Sequence, residues 1–305
     1  MQLAPKRILC FTSLPMNDFF SFVRHIQGHD AILESFGRTL AAGRLAHASL
    51  FAGPEGVGKR TTALALAAYL LQDTPHAVSR VTQNIHPDCL LVDTAWGTDA
   101  PSASIRIEAI RQLEERLMVG PFEGTRLVVI LDPADSMTDA AANALLKTLE
   151  EPPPEVYFFL ITAAPYQLPA TIRSRCRMAR FAPLSEENLR QILQRLYPDR
   201  RLDGHIGSYC DGSIGRAVEL LESELHSGFP ELARRCRDLC ADGTLPELFD
   251  MAEAVSSWER ESAGIFLLVF LMEIRDVFVG RTAWNPARNP DLAAWMEAVE
   301  TARRD

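Results

Sequence analysis

The residues of this chain best suited to chemistry sit in one short run, Gly53-Pro54-Glu55-Gly56-Val57-Gly58-Lys59. Gly53-x4-Gly58-Lys59 has the spacing of a phosphate-binding loop. Gly53, Gly56 and Gly58 let backbone N–H groups turn toward phosphate oxygens, a following helix adds its positive N-terminal end, and Lys59 reaches the terminal phosphates. The position after the lysine normally carries Ser or Thr, whose hydroxyl helps to hold Mg²⁺; here it is Arg60, followed by Thr61. A guanidinium has no acceptor lone pair and repels a divalent cation, while Thr61 is turned by about 100° around the helix. ATP or ADP is compatible with the loop, and the placement of Mg²⁺ is left open.

A second candidate is Asp132, which closes the apolar run Leu127-Val128-Val129-Ile130-Leu131. A carboxylate at the end of such a strand sits near metal-bound phosphates in phosphate-loop enzymes. Hydrolysis also needs a base to orient the attacking water, and the next residue is Pro133, which offers none. The expectation is a nucleotide site without hydrolysis; Asp135 is the acid that would have to substitute if hydrolysis persisted.

These residues need a strand, loop and helix to hold them, and the surrounding pattern supplies that unit. Ala48 to Ala52 reads as a strand running into the glycine loop, and Arg60 to Leu71, rich in Ala and Leu, reads as the helix after it. A helix over Asp30 to Leu45 precedes them. Short apolar runs at Cys89–Val92, Leu127–Leu131 and Val156–Ile161 alternate with helical stretches at Ile107–Leu117 and Asp139–Leu149. Such alternation predicts an α/β domain with a largely parallel sheet covered on both faces.

After Pro183 the pattern is helical only. Ser185-Glu186-Glu187 is a helix start signal, and Leu189, Ile192, Leu193 and Leu196 form an apolar stripe. The expected division is an α/β phosphate-loop domain over 1–181, a small helical domain over 182–226 and an all-α domain over 227–305.

Composition bounds the function. With 305 residues, 47% apolar and 23% charged, the chain has the balance of folded multidomain proteins. A net charge of -9 argues against a surface that binds nucleic acid by its own basic character. The six cysteines are scattered with no C-x-x-C, which suggests neither disulfides nor zinc and fits a reducing cytoplasm. No apolar run reaches the ~18 residues that a membrane span needs. Lys6 and Arg7 before Ile8–Leu14 only faintly imitate a signal peptide, and Met16 is an alternative start to Met1.

Three stretches carry a resemblance. They are His47-Ala48-x-Leu50-Phe51-x-Gly53-Pro54-x-Gly56-x-Gly58-Lys59, Asn143-Ala144-Leu145-Leu146-Lys147-Thr148-Leu149-Glu150-Glu151-Pro152-Pro153, and Leu168-Pro169-Ala170-Thr171-Ile172-x-Ser174-Arg175-Cys176. Together they resemble the clamp-loader branch of the AAA+ family, in particular its bacterial DNA polymerase III delta-prime subunits, from about Phe20 to Ala217. The resemblance implies a helical lid and a helical collar for the second and third domains.

For the residues, the resemblance implies that Arg175, in a Ser-Arg-Cys motif, is an arginine finger projecting into the ATP site of a neighbouring ATPase subunit. It implies that Thr162 is the polar sensor at a strand end and Arg216 the sensor arginine of the lid. Between Leu71 and Asp93 there are only Cys89, His76 and His86, so the zinc module of many relatives is not expected.

The implied partners are the gamma/tau ATPase subunits, the delta subunit, the sliding clamp and, through the complex, primed DNA, with no membrane. No polymerase activity is expected, since no paired metal-binding carboxylates stand in a polymerase context. Two other readings stay open: an active motor subunit of the same loader, and a scaffold that holds no nucleotide.

Overall fold

The computed structural model describes residues 19–96, 103–199, 210–222, 228–242, 252–253, 255–258 and 260–278. The chain divides into two compact units, Met1–Pro198 and Asp199–Asp305.

The first unit is built on five strands, β1 (Ala48–Ala52), β2 (Cys89–Val92), β3 (Leu127–Leu131), β4 (Val156–Thr162) and β5 (Arg177–Arg180), in the order β2-β3-β4-β1-β5. Every pairing is parallel. All residues of β1, β2 and β3 are buried, which is why their sequences are continuous apolar runs rather than alternating ones. Alternate residues still face opposite sides. Phe51, Val128, Ile130 and Phe159 join the core on one face, while Leu50, Val129, Leu131, Phe158 and Leu160 join the core on the other.

Helices cover both faces. Helices α1 (Phe19–Val23), α2 (Asp30–Ala41), α3 (Lys59–Leu70) and α4 (Ala77–Thr82) contribute to the first core. Helices α5 (Ile107–Val119), α6 (Asp139–Glu150) and α7 (Ala170–Arg175) contribute to the second. Helix α3 is buried almost all round, so its Ala-rich sequence lets it lie close beneath its neighbours. Helix α6 begins where the Thr138 hydroxyl accepts from Ala141 N at 3.3 Å, and α8 (Glu186–Leu196) where Ser185 accepts from Asn188 N at 3.2 Å. Each such cap contributes about 1 kcal/mol.

The expected parallel sheet is present with one strand more than the sequence suggested. The Asp30 to Leu45 helix ends at Ala41, because Gly43, with φ of 62°, leaves the helical region.

The second unit contains α9 (Ile214–Glu222), α10 (Phe229–Asp242) and α11 (Arg260–Phe278). Phe229 stacks on Trp258 with ring centroids 5.1 Å apart and meets Phe266 edge-on. Arg237 Nη1 lies 2.7 Å from the carboxylate of Glu273, which is buried. Residues 243–251 of the all-α domain expected over 227–305 lie outside the described residues.

Candidate functional site

The glycine loop leaves the carboxyl end of β1 and enters α3, where open parallel sheets place ligands. Its shape follows from close backbone approach. A Cβ on Gly53 would lie 2.2 Å from the carbonyl oxygen of Phe181, so no larger residue fits there without moving the chain after β5. Gly56 and Gly58 have φ of 71° and 103°, a region that costs other residues strain. Gly53 N donates to Thr162 O at 3.3 Å, which ties the start of the loop to the end of β4.

Lys59 is the first residue of α3 and is only 6% exposed. Its ammonium donates back to the loop, to Gly53 O at 2.6 Å and Pro54 O at 2.5 Å. Burial lowers its pKa, with Asp132, Glu55 and Asp135 pulling the other way. Thr62, wholly buried, anchors the first turn by donating to Gly58 O at 2.9 Å, while Thr61 is half-buried.

A residue that sequence reasoning missed holds the loop from outside. His29, just before α2, donates from Nε2 to Val57 O at 2.7 Å and packs edge-on against Phe181 with centroids 4.7 Å apart. Because a carbonyl can only accept, Nε2 carries the proton of a neutral ring; burial lowers the His29 pKa and keeps it neutral. Nothing in its local sequence marks this histidine, since its partner is 28 residues away.

Asp132 stands at the end of β3, its N–H donating to Val92 O at 3.0 Å. Its carboxylate lies 3.5 Å from Nη1 of Arg60. Burial raises the Asp132 pKa, and the charges of Arg60 and Lys59 oppose the rise. Arg60 Nε and Asp135 Oδ1 are buried without a hydrogen-bond partner.

These facts bear on Mg²⁺. The ion demands near-octahedral oxygen ligands at about 2.0–2.1 Å. Here the position of the ligating hydroxyl is filled by Arg60, and its guanidinium already faces the Asp132 carboxylate that would support a metal. The residues present do not fit Mg²⁺.

Thr162 ends β4 fully buried, its hydroxyl accepting from Ala164 N at 3.0 Å. Thus Gly53, Gly56, Gly58, Lys59, Arg60, Thr61, Asp132 and Thr162 gather around the carboxyl ends of β1, β3 and β4. The arrangement combines a glycine loop, a helix N-terminus and two cationic side chains, the chemistry that suits an anion.

Arg175 belongs to a different surface. It closes α7, where Nη1 donates to Thr171 O at 3.0 Å and Nη2 pairs with the carboxylate of Glu150, the last residue of α6. Arg216 lies on α9 of the second unit, its backbone N donating to Ser213 Oγ at 3.3 Å. Among the described residues no group of three or more His, Cys, Asp or Glu is arranged to hold a metal ion.

A five-stranded parallel sheet in this order, with a glycine loop and lysine between the first strand and its helix, defines a phosphate-loop α/β domain of the AAA+ type. A gamma subunit-related protein of DNA polymerase III from Thermotoga maritima shares the fold, with a TM-score of 0.53 at 20% identity over 86% of this chain and 90% of that one.

Residues 28–185, more than half of the chain, match the family described as DNA polymerase III, delta subunit, and the chain belongs to that family of bacterial clamp-loader subunits. DNA polymerase III subunit delta' of Escherichia coli (strain K12) is 38% identical over 155 residues, 48% of this chain and 45% of that protein. DNA polymerase III subunit tau of Salmonella typhimurium is 31% identical over 218 residues, 67% of this chain and 33% of that protein. The chain therefore spans a third to less than half of the length of these relatives.

Proposed function

We propose that this chain is a delta-prime-type subunit of the bacterial clamp loader, which binds ATP or ADP without hydrolysing it and supplies Arg175 in trans to the ATP site of a neighbouring gamma/tau-type subunit. The observation that carries the reading is the Arg60–Asp132 ion pair, which puts a guanidinium where hydrolysis needs a metal. Pro133 supports it by removing the usual base. Arg175 supports the trans role because it closes a short helix with its side chain partly open to solvent. A finger of this kind stabilises charge on the transferring phosphoryl group and is worth about 10³ to 10⁵ in rate.

In this reading 1–181 is the AAA+ domain, 182–226 a lid carrying Arg216, and 227–305 a collar through which the chain joins the ring. Thr162 senses the terminal phosphate. The delta subunit, sliding clamp and primed DNA are partners through the assembly, in the cytoplasm. Among the described residues no helix is long and apolar enough to cross a membrane.

A motor subunit of the tau/gamma type is the second reading. It is favoured by the tau match running over 218 residues against 155 for the delta' relative. Steady-state ATP hydrolysis separates the two. The purified chain should be silent alone, and Arg175→Ala should cut the ATPase rate of a loader reconstituted with motor and delta subunits, clamp and primed DNA. Robust hydrolysis by the isolated chain would support the motor reading, and full activity with Arg175→Ala would remove the finger.

A further inference from the structure

We propose that this phosphate loop binds its nucleotide without a divalent metal, with Arg60 serving as a built-in cation in the position of Mg²⁺. The inference rests on the nucleotide-binding part of the reading above and deepens it. In an ordinary phosphate loop the hydroxyl after the lysine and the carboxylate at the end of the neighbouring strand converge on one ion, which neutralises the phosphates. In this chain those two positions are Arg60 and Asp132, and they converge on each other, 3.5 Å apart.

The charges are arranged to accept phosphate. Lys59 and Arg60 are both cationic, at the first two positions of α3, whose N-terminal end favours anions. Asp132 offsets one of the two charges, so one net positive charge remains for the phosphates, one fewer than a lysine, a divalent metal and a carboxylate would leave. The guanidinium carries five N–H donors in a fixed fork that matches phosphate oxygens, and one carboxylate cannot use them all. Nε of Arg60 is buried with no hydrogen-bond partner, and the half-buried side chain keeps 34% of its surface exposed. Asp132 thus orients Arg60, and the unused donors are left for a ligand.

Lys59 completes the picture. Its ammonium occupies itself with Gly53 O and Pro54 O. Turning from these carbonyls to a phosphate exchanges two neutral acceptors for a charged one, and hydrogen bonds to charged acceptors are the stronger. No metal is needed for that exchange.

The test is binding of a fluorescent ADP or ATP analogue to the full chain, titrated in EDTA and again in millimolar Mg²⁺, with unlabelled ADP and ATP as competitors. The expected result is an affinity that changes by less than about threefold between the two conditions. Arg60→Thr, which restores the hydroxyl and vacates the position beside Asp132, should weaken binding in EDTA by about 10- to 100-fold, the worth of one charge-assisted contact, and recover with Mg²⁺. Arg60→Lys keeps the charge and should stay insensitive to EDTA. Wild-type binding that requires Mg²⁺ would overturn the inference and leave the nucleotide reading standing. Absence of binding in both conditions would overturn the nucleotide reading itself, and Arg60→Thr that binds in EDTA like wild type would show that Arg60 is not the cation.

Discussion

Asp88→Ala should destabilise the Met1–Pro198 unit by about 3–5 kcal/mol, the cost of breaking a buried ion pair from one side. Asp88 sits just before β2 with its side chain wholly shielded from solvent. Its carboxylate accepts from three successive backbone N–H groups, Phe122 at 2.6 Å, Glu123 at 2.9 Å and Gly124 at 3.2 Å, and from Arg116 Nη2 at 3.2 Å. Each bond to a charged group is worth about 1.5–3 kcal/mol, but the four do not simply add. Arg116 keeps Gly120 O and Pro87 O, and the turn at 122–124 lies near enough to solvent for water to replace part of what is lost.

Burial pushes the Asp88 pKa up, yet the three N–H donors outweigh it and hold the group below its ordinary value. Its contribution is therefore present above the unfolded pKa of about 3.9 and lost as pH falls through the lower folded value. Urea unfolding followed by circular dichroism should show the midpoint falling by about 1.5–2.5 M for a slope near 2 kcal/mol/M, with the slope unchanged. The gap between wild type and variant should narrow below pH 4. A loss under about 1 kcal/mol, or a gap indifferent to acid, would refute the claim that the carboxylate holds the turn.

The His25 pKa is pushed down to about 4 by burial and the nearby Arg195, and burial lowers His29 and His86 as well. The unfolded chain then binds more protons between pH 6.5 and 4, so the melting temperature should fall over that window, His25 alone contributing about 2 kcal/mol by pH 5, and His25→Gln should flatten the profile. Burial pushes the Cys89, Cys176 and Cys210 thiols up to about 12. Peptide mapping after iodoacetamide at pH 8 should find them unlabelled in the folded protein and labelled in urea. Lys59→Met should leave the fold intact but abolish any rise in melting temperature with ADP, whereas a retained rise would place the phosphates elsewhere.

Strands buried on both faces announce themselves as apolar runs, and β1, β3 and β4 were legible for that reason. The fifth strand was not. Arg177-Met178-Ala179-Arg180 has charged ends and alternates between half-buried and exposed, so nothing local identifies it. It is a strand because Ser49 to Ala52 pair with it along the sheet edge. The glycine loop was legible because its backbone geometry demands residue types that little else demands. His29 and the Arg60–Asp132 pair were not, because both join residues far apart in the chain, and residue type alone does not report a partner.

Arg175 shows how two legible fragments gain meaning only when folded together. Leu149-Glu150-Glu151 and Ser174-Arg175-Cys176 stood out in sequence as separate stretches, and in the structure Glu150 and Arg175 form an ion pair at the ends of α6 and α7. An exposed pair of this kind contributes only about 0–1 kcal/mol to stability, so folding alone gives little reason for its presence. An arginine offered to a neighbouring subunit must stay accessible and yet keep its direction. One bond to Thr171 O within its own helix and one to Glu150 supply direction and leave the side chain partly open to solvent. If that is their role, Glu150→Gln should barely change the melting temperature of the chain but should lower the ATPase rate of the reconstituted loader. An unchanged rate would reduce the pair to a surface contact.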